Sequence, residues 1–235
     1  MLVYPSFIYL QNQKTGSTFV ELWLRKFCSE PLLKYKKHAT LTYFPKKLCF
    51  MNIREPVSLY RSLFSYGLDG RGAVYNRLKH HGYSYLYENG PAGFNQFLNF
   101  INSPSHSVLL HNKYTPNIAQ LVGFMSWRFL CLSCVNFQEV APIFQNKNDL
   151  NIYLKNHYVV NKVLRQENLR VDLINLSRNQ LAEYIKNKED SEYWLTHAQK
   201  ANVSLSKKSD IMILDEVLSD LKKKEFFLYE NFYSS

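Results

Sequence analysis

The chain has 235 residues, of which 46% are hydrophobic and 15% aromatic, with only 8 Gly and 8 Pro, and this composition excludes disordered, collagen-like and low-complexity architectures. Its 29 Lys plus Arg against 19 Asp plus Glu leave a formal charge of +10, which draws anions by long-range Coulomb attraction. Nucleic acid, a phosphorylated nucleotide, an acidic glycan and a membrane face are all compatible with that charge.

In chain order, Phe7 to Leu10 is a continuous apolar run of the kind buried on both faces of a parallel sheet. The polar loop QNQKTG follows. From Ser17, the expected N-cap, Phe19, Val20, Trp23, Leu24 and Phe27 recur at three- and four-residue spacing, one face of a helix. Leu48 to Ile53 is a second buried strand, and Pro56 stands where the first turn of a helix carrying Val57, Tyr60, Leu63 and Phe64 begins. From Gly67 to about Pro91 the periodicity gives way to Gly, Tyr, His and Asn, the pattern of a functional excursion. Phe94 to Ile101 and Pro116 to Val122 read as short helices. Asp149 caps a helix through His157, Val159 to Leu164 is a further strand before a turn at Glu167 and Asn168, and Asp210 or Asp215 opens a segment through Leu218, Leu221 and Phe226. The alternation predicts one α/β domain over residues 1–235 with a mainly parallel sheet, and a loop-rich acceptor-side excursion around 67–125.

No window reaches the roughly 18–20 uninterrupted apolar residues of a membrane span; the best, LVGFMSWRFLCLSCV, carries Arg128 and is too short. Met1 to Leu10 lacks the basic region of a signal peptide, so a complete chain reads as cytoplasmic, while an excised Golgi-lumenal domain would read the same way. Cys28 and Cys49 lie in apolar stretches, and Cys131 and Cys134 form a CxxC without a second ligand pair, so core thiols rather than a disulfide framework or a metal site are expected.

The segment QNQKTGSTF joins a buried strand to a helix, where backbone N–H groups and the helix dipole favour an anion. Gly16 allows close approach, Ser17 and Thr18 add hydroxyls, and Lys14 supplies a cation. A nucleoside triphosphatase needs GxxxxGK followed by Ser or Thr; here the lysine precedes the glycine, which speaks against ATP hydrolysis. An ordinary polar turn is the plain alternative. In NIREP, Arg54 stands at the end of the second strand, able to grip a phosphate in bidentate fashion, and Ser62 lies eight residues on; a salt bridge to Glu55 or Glu21, and a packed helix face, are their structural alternatives.

Together, QKTGSTF and NIREPVSLYRSLFSY resemble the two cofactor signatures of the sulfotransferases that use 3′-phosphoadenosine-5′-phosphosulfate (PAPS), with the closer likeness to the Golgi-type and bacterial carbohydrate branch. The resemblance implies a P-loop-like three-layer sandwich with helices flanking the sheet. It also implies that Lys14, Thr15, Gly16, Ser17 and Thr18 bind the 5′-phosphosulfate and that Arg54 and Ser62 bind the 3′-phosphate. Gln13 replaces the family's usual proline, and Arg61 falls one position late. The stretch YKKHATLTYF resembles the segment that carries a histidine base in several members, which makes His38 the expected base beside Lys14 as the second catalytic residue; an imidazole can take a hydroxyl proton at neutral pH. His80 and His81 are expected to face acceptor or solvent. VLRQENLRVDL resembles a further family segment in which Glu167 and Asp172 are structural, and ANVSLSKK resembles the Asn-x-Ser segment that precedes the loop covering the cofactor in the family, with Lys207 or Lys208 able to reach a phosphate.

The expected function is sulfuryl transfer from PAPS to the hydroxyl of a glycan or other acceptor, one that can carry acidic groups, without a metal. Lysine clusters at Lys34, Lys36 and Lys37, at Lys46 and Lys47 and at Lys222 to Lys224, with Tyr75, Tyr83, Tyr85 and Tyr87, suit such an acceptor. The rival readings are a P-loop-type nucleotide-dependent kinase, a basic nucleic-acid-binding protein and a sulfotransferase fold that binds without turnover. Nucleic acid is not the expected partner, because it accounts for neither signature.

Overall fold

The computed structural model describes residues 1–199 and 212–233. Asp210, Lys207 and Lys208 therefore lie outside the described residues. The chain is α/β, with helices and a five-stranded mixed sheet in the order β3-β1-β2-β4-β5. The strands are β1 (Leu2–Val3), β2 (Phe7–Leu10), β3 (Lys34–Tyr35), β4 (Leu48–Ile53) and β5 (Lys162–Arg165). β2, β4 and β5 are parallel, with Leu10 opposite Met51 and Ile53 opposite Arg165, while β1 runs antiparallel to both β2 and β3.

The residues group into two compact units. The first comprises Met1–Arg54, Leu132–Val135 and the described part of Tyr158–Val203, and it holds the whole sheet. The second comprises Glu55–Cys131, Asn136–His157 and the described part of Ser204–Ser235. Most of it is inserted between β4 and β5, which satisfies the need of parallel neighbours for a long crossover.

In the first unit, β2 and β4 are apolar because both their faces are covered. Helix α1 (Ser17–Phe27) turns Phe19, Val20, Trp23, Leu24 and Phe27 into a core shared with Phe7, Tyr9, Phe50, Leu164, Leu169 and Leu173. The Trp23 indole N–H donates to Ser191 Oγ at 2.8 Å, so burying this large ring leaves no polar atom unmet. The strand expected from Val159 starts only at Lys162. Val159 N donates instead to Ser133 O, and Asn161 clasps the β4 backbone through Cys49 N and Cys49 O before regular pairing begins.

The second unit opens with α2 (Pro56–Leu68), whose proline occupies the first turn as expected. The excursion after Gly67 contains a helix that the sequence pattern does not reveal, α3 (Ala73–His80), because only Val74 and Leu78 are buried in its two turns. Gly67 is dictated by packing: a Cβ there would stand 2.2 Å from the Tyr87 ring, which stacks on Phe64 at 5.4 Å. The helix expected from Asp149 begins at Lys147, because Asn146 Oδ1 accepts from Asn148 N and Asp149 N and so takes the capping position. Helix Phe124–Ser133 receives the carboxylate of Glu225, which accepts from Met125 N, Ser126 N, the Ser126 hydroxyl and the Tyr60 hydroxyl. Burial pushes the Glu225 carboxyl up, while these four donors favour its charged form. Gly123 is small for the same reason, since a Cβ would meet Glu225 Oε1 at 2.2 Å.

All four cysteines are buried, Cys131 and Cys134 among them, as the apolar run predicts, and none is joined in a disulfide. No described helix is long and apolar enough to cross a membrane.

Candidate functional site

The parallel pairing brings the carboxyl ends of β2, β4 and β5 to one edge of the sheet, the edge where open α/β sheets present ligand-binding loops. Three connections meet there: the loop Gln11 to Gly16, Arg54 after β4, and Gln166 to Leu169 after β5. Their meeting point is Gly16, the N-cap of α1 at φ +83°, where a Cβ would stand 2.8 Å from Leu169 Cδ2 and 3.6 Å from Gln166 Cγ. Glycine is required twice over, for its left-handed backbone and for the close approach of the β5 connection. Ser17, the expected N-cap, is the first helical residue and is buried.

The loop is fastened from below. Thr15 is fully buried, and its hydroxyl donates to Asn12 O at 3.0 Å, closing the turn; its side chain thus holds the loop. Asn12 Oδ1 accepts from Gln13 N at 2.9 Å. Asn52, buried next to the carboxyl end of β4, donates through Nδ2 to Thr15 O at 2.7 Å and accepts the Tyr9 hydroxyl. A Tyr9–Asn52–Thr15 chain therefore links two strands to the loop backbone. Asn52 and Tyr9 are positioning residues that sequence reasoning passed over. The available signal was a single amide inside the apolar run LCFMNI, since a buried polar group must find partners.

Lys14 and Thr18 are half-buried at the top of the loop, and Arg54 reaches over it, with Nη1 3.5 Å from Lys14 O. Glu21, one of the carboxylates weighed as a partner for Arg54, accepts from Gln11 Nε2, Arg25 Nε and the Tyr35 hydroxyl. The other, Glu55, caps α2 through Val57 N at 3.0 Å and Ser58 N at 2.7 Å.

His38 joins this loop from a stretch 27 residues away. Its Nδ1 lies 2.8 Å from Gln11 O. A carbonyl oxygen only accepts, so Nδ1 carries the proton, and in the neutral ring Nε2 bears the lone pair. Positive φ singles out the same two side chains. Among the described residues the non-glycine positions with positive φ are Lys14 (63°), His38 (55°), Asn136 (56°) and Asn187 (49°). Asparagine enters this region readily; lysine and histidine do so at a cost of roughly 1–2 kcal/mol each. Strained residues of this kind gather at functional sites.

Lys14, Thr15, Gly16, Ser17, Thr18, Arg54 and His38 thus all belong to the first unit, around one loop and one sheet edge. Ser62 belongs to the second unit, buried on α2. His80 and His81 are exposed there, and Asp172 accepts from Arg165 N at 2.7 Å, a structural use. No group of three metal-binding side chains occurs among the described residues. A pocket of about 630 Å³ in the first unit, lined by Lys26, Phe27, Lys186, Tyr193 and Trp194, sits at the far end of α1, roughly 15 Å along the helix from Gly16. No family model, curated protein or solved structure matches the chain.

Proposed function

We propose that the chain is a PAPS-dependent sulfotransferase that transfers a sulfuryl group to a hydroxyl of a carbohydrate acceptor, on a P-loop-like sandwich built around the parallel strands β2, β4 and β5. The observation that carries this reading is the placement of Lys14 and His38 in costly left-handed backbone on one loop, His38 fixed to Gln11 O with Nε2 as its basic nitrogen. Arg54 over the Lys14 carbonyl adds a cation at the same edge.

In this reading Gly16 lets the donor's 5′-phosphosulfate approach the loop backbone and Arg54 answers its 3′-phosphate, the group for which the sequence signature also names Ser62. The acceptor oxygen forms the new S–O bond as the bond from sulfur to the bridging phosphate oxygen breaks, and adenosine 3′,5′-bisphosphate departs. The acceptor proton passes to His38 Nε2. The Lys14 ammonium balances the charge that gathers on the bridging oxygen. A positioned base contributes about 10²- to 10⁴-fold. The test is transfer of labelled sulfate from PAPS to a panel of glycans: His38→Asn, which tolerates the left-handed backbone, loses rate by that factor and keeps donor affinity. Loss of donor affinity with an unchanged rate would overturn the assignment of the base.

A further inference from the structure

A second gathering of cations lies in the second unit, away from any sequence signature. His111 follows the helical turn Ser107–Leu110, against which α3 packs, and α3 carries Arg77. The His111 ring sits 4.9 Å from that of Trp127, and its Nδ1 accepts from Lys113 N at 3.2 Å. Neutral His111 therefore carries its proton on Nε2, a donor. Trp127 is 3% exposed and Ser107 fully buried, and neither the indole N–H nor the Ser107 hydroxyl meets a partner among the described residues. Arg128 lies over the Phe124 ring at 5.4 Å.

Among the described residues neither Arg77 nor Arg128 makes an ion pair, and the nearby Glu225 carboxylate is taken up by Met125 N, Ser126 N and the Ser126 and Tyr60 hydroxyls. Burial lowers the Arg128 guanidinium to about 10, and the groups that oppose this are Cys131 and Tyr60, neither of them a carboxylate. Burial, followed by Arg77, Arg128 and Lys113, lowers His111 to about 4. The carboxylate facing the group is Glu139, which pairs with Lys113 at 2.6 Å on the exposed side. Around His111 the described residues therefore gather an indole N–H and a hydroxyl without partners and two guanidinium groups without ion pairs, while Lys113 is paired with Glu139. Half-buried cations without a counter-charge are costly unless an anion completes them.

We propose that His111, Arg77, Arg128 and Lys113 form an anion-binding site that takes the carboxylate or sulfate of an acidic sugar. The identification of the sugar as the acceptor rests on the function proposed above; the site itself does not. Binding is measured without PAPS, by imidazole NMR and calorimetry, using inorganic sulfate, a glucuronate-containing disaccharide and an uncharged disaccharide. The two anions are expected to shift the His111 ring signals, with the uronate disaccharide binding tighter than sulfate and the uncharged sugar not binding. Arg128→Gln and Arg77→Gln each weaken binding at least tenfold, whereas Lys155→Gln, an exposed control, does not. Should Arg128→Gln fail to fold, Arg77→Gln and His111→Asn decide the matter. Unmoved His111 signals at saturating anion, or variant affinities equal to the control, overturn the site. Anion binding without any sulfate transfer overturns the enzyme reading and leaves the site; transfer equally fast to charged and uncharged acceptors, unaffected by Arg77→Gln and Arg128→Gln, overturns the acidic acceptor as the occupant of the site and leaves the enzyme reading.

Discussion

Two helix N-termini, one in each unit, meet the same electrostatic need in opposite ways. Helix Phe124–Ser133 is completed internally: Glu225, about a hundred residues away in sequence, brings a fully buried carboxylate to its first amides. Helix α1 has as its N-cap Gly16, which has no side chain to offer, in a loop bearing Lys14 and approached by Arg54. The dipole of each helix favours an anion at this end. In the second unit a carboxyl of the chain itself fills that place; at α1 Lys14, Arg54 and the close backbone approach are what the proposed donor's phosphosulfate would meet.

The contrast can be broken from either side. The largest effect is expected at the internal cap: Glu225→Ala strands the Tyr60 and Ser126 hydroxyls and two amides, and urea unfolding should show a loss of about 4 kcal/mol. At α1 the cost falls on function instead. Lys14→Ala should slow sulfate transfer about a hundredfold, equivalent to about 3 kcal/mol of barrier, and Lys14→Gly, which relieves the left-handed backbone, should leave the unfolding free energy equal or higher. A Lys14→Gly variant much less stable than the parent would make this lysine structural. Gly16→Ala combines a forbidden backbone region with the clash against Leu169 and should cost roughly 2 kcal/mol of stability, together with donor binding, read by thermal unfolding with and without adenosine 3′,5′-bisphosphate.

The smallest effect concerns His111. Its folded pKa of about 4 lies below the ordinary 6.5, so the unfolded chain takes up the proton first as pH falls. Its contribution to stability is complete above pH 6.5 and is lost as pH drops towards 4. The ring is only partly buried, so solvent screening discounts this step from the roughly 3 kcal/mol that such a shift carries in full. His111→Asn should flatten that part of the stability–pH curve, and an unchanged curve would remove His111 as its source.

What was legible in the sequence is what local pattern encodes. β2 and β4 are apolar runs and α1 an apolar stripe, and their boundaries follow from the loops that end them. β1 and β3 have two residues each, too few to show alternation, so the antiparallel edge of the sheet went unseen. α3 has too few buried positions to reveal a period. The loop was legible because its glycine and lysine are local; its fastening by Asn52 was not, since that hydrogen bond spans 37 residues. The Glu225–Tyr60 bond spans 165. His38 was named by its motif, yet its tautomer and its strained backbone come only from its place beside Gln11 O.

The central claim, that the loop at the start of α1 receives a bisphosphorylated adenosine, is tested most directly by calorimetry with adenosine 3′,5′-bisphosphate beside ATP with magnesium. The account predicts tight binding of the bisphosphate, no measurable binding of ATP, and loss of the bisphosphate signal in Lys14→Ala and Arg54→Ala. Absence of bisphosphate binding, or ATP binding equally tightly, would contradict it.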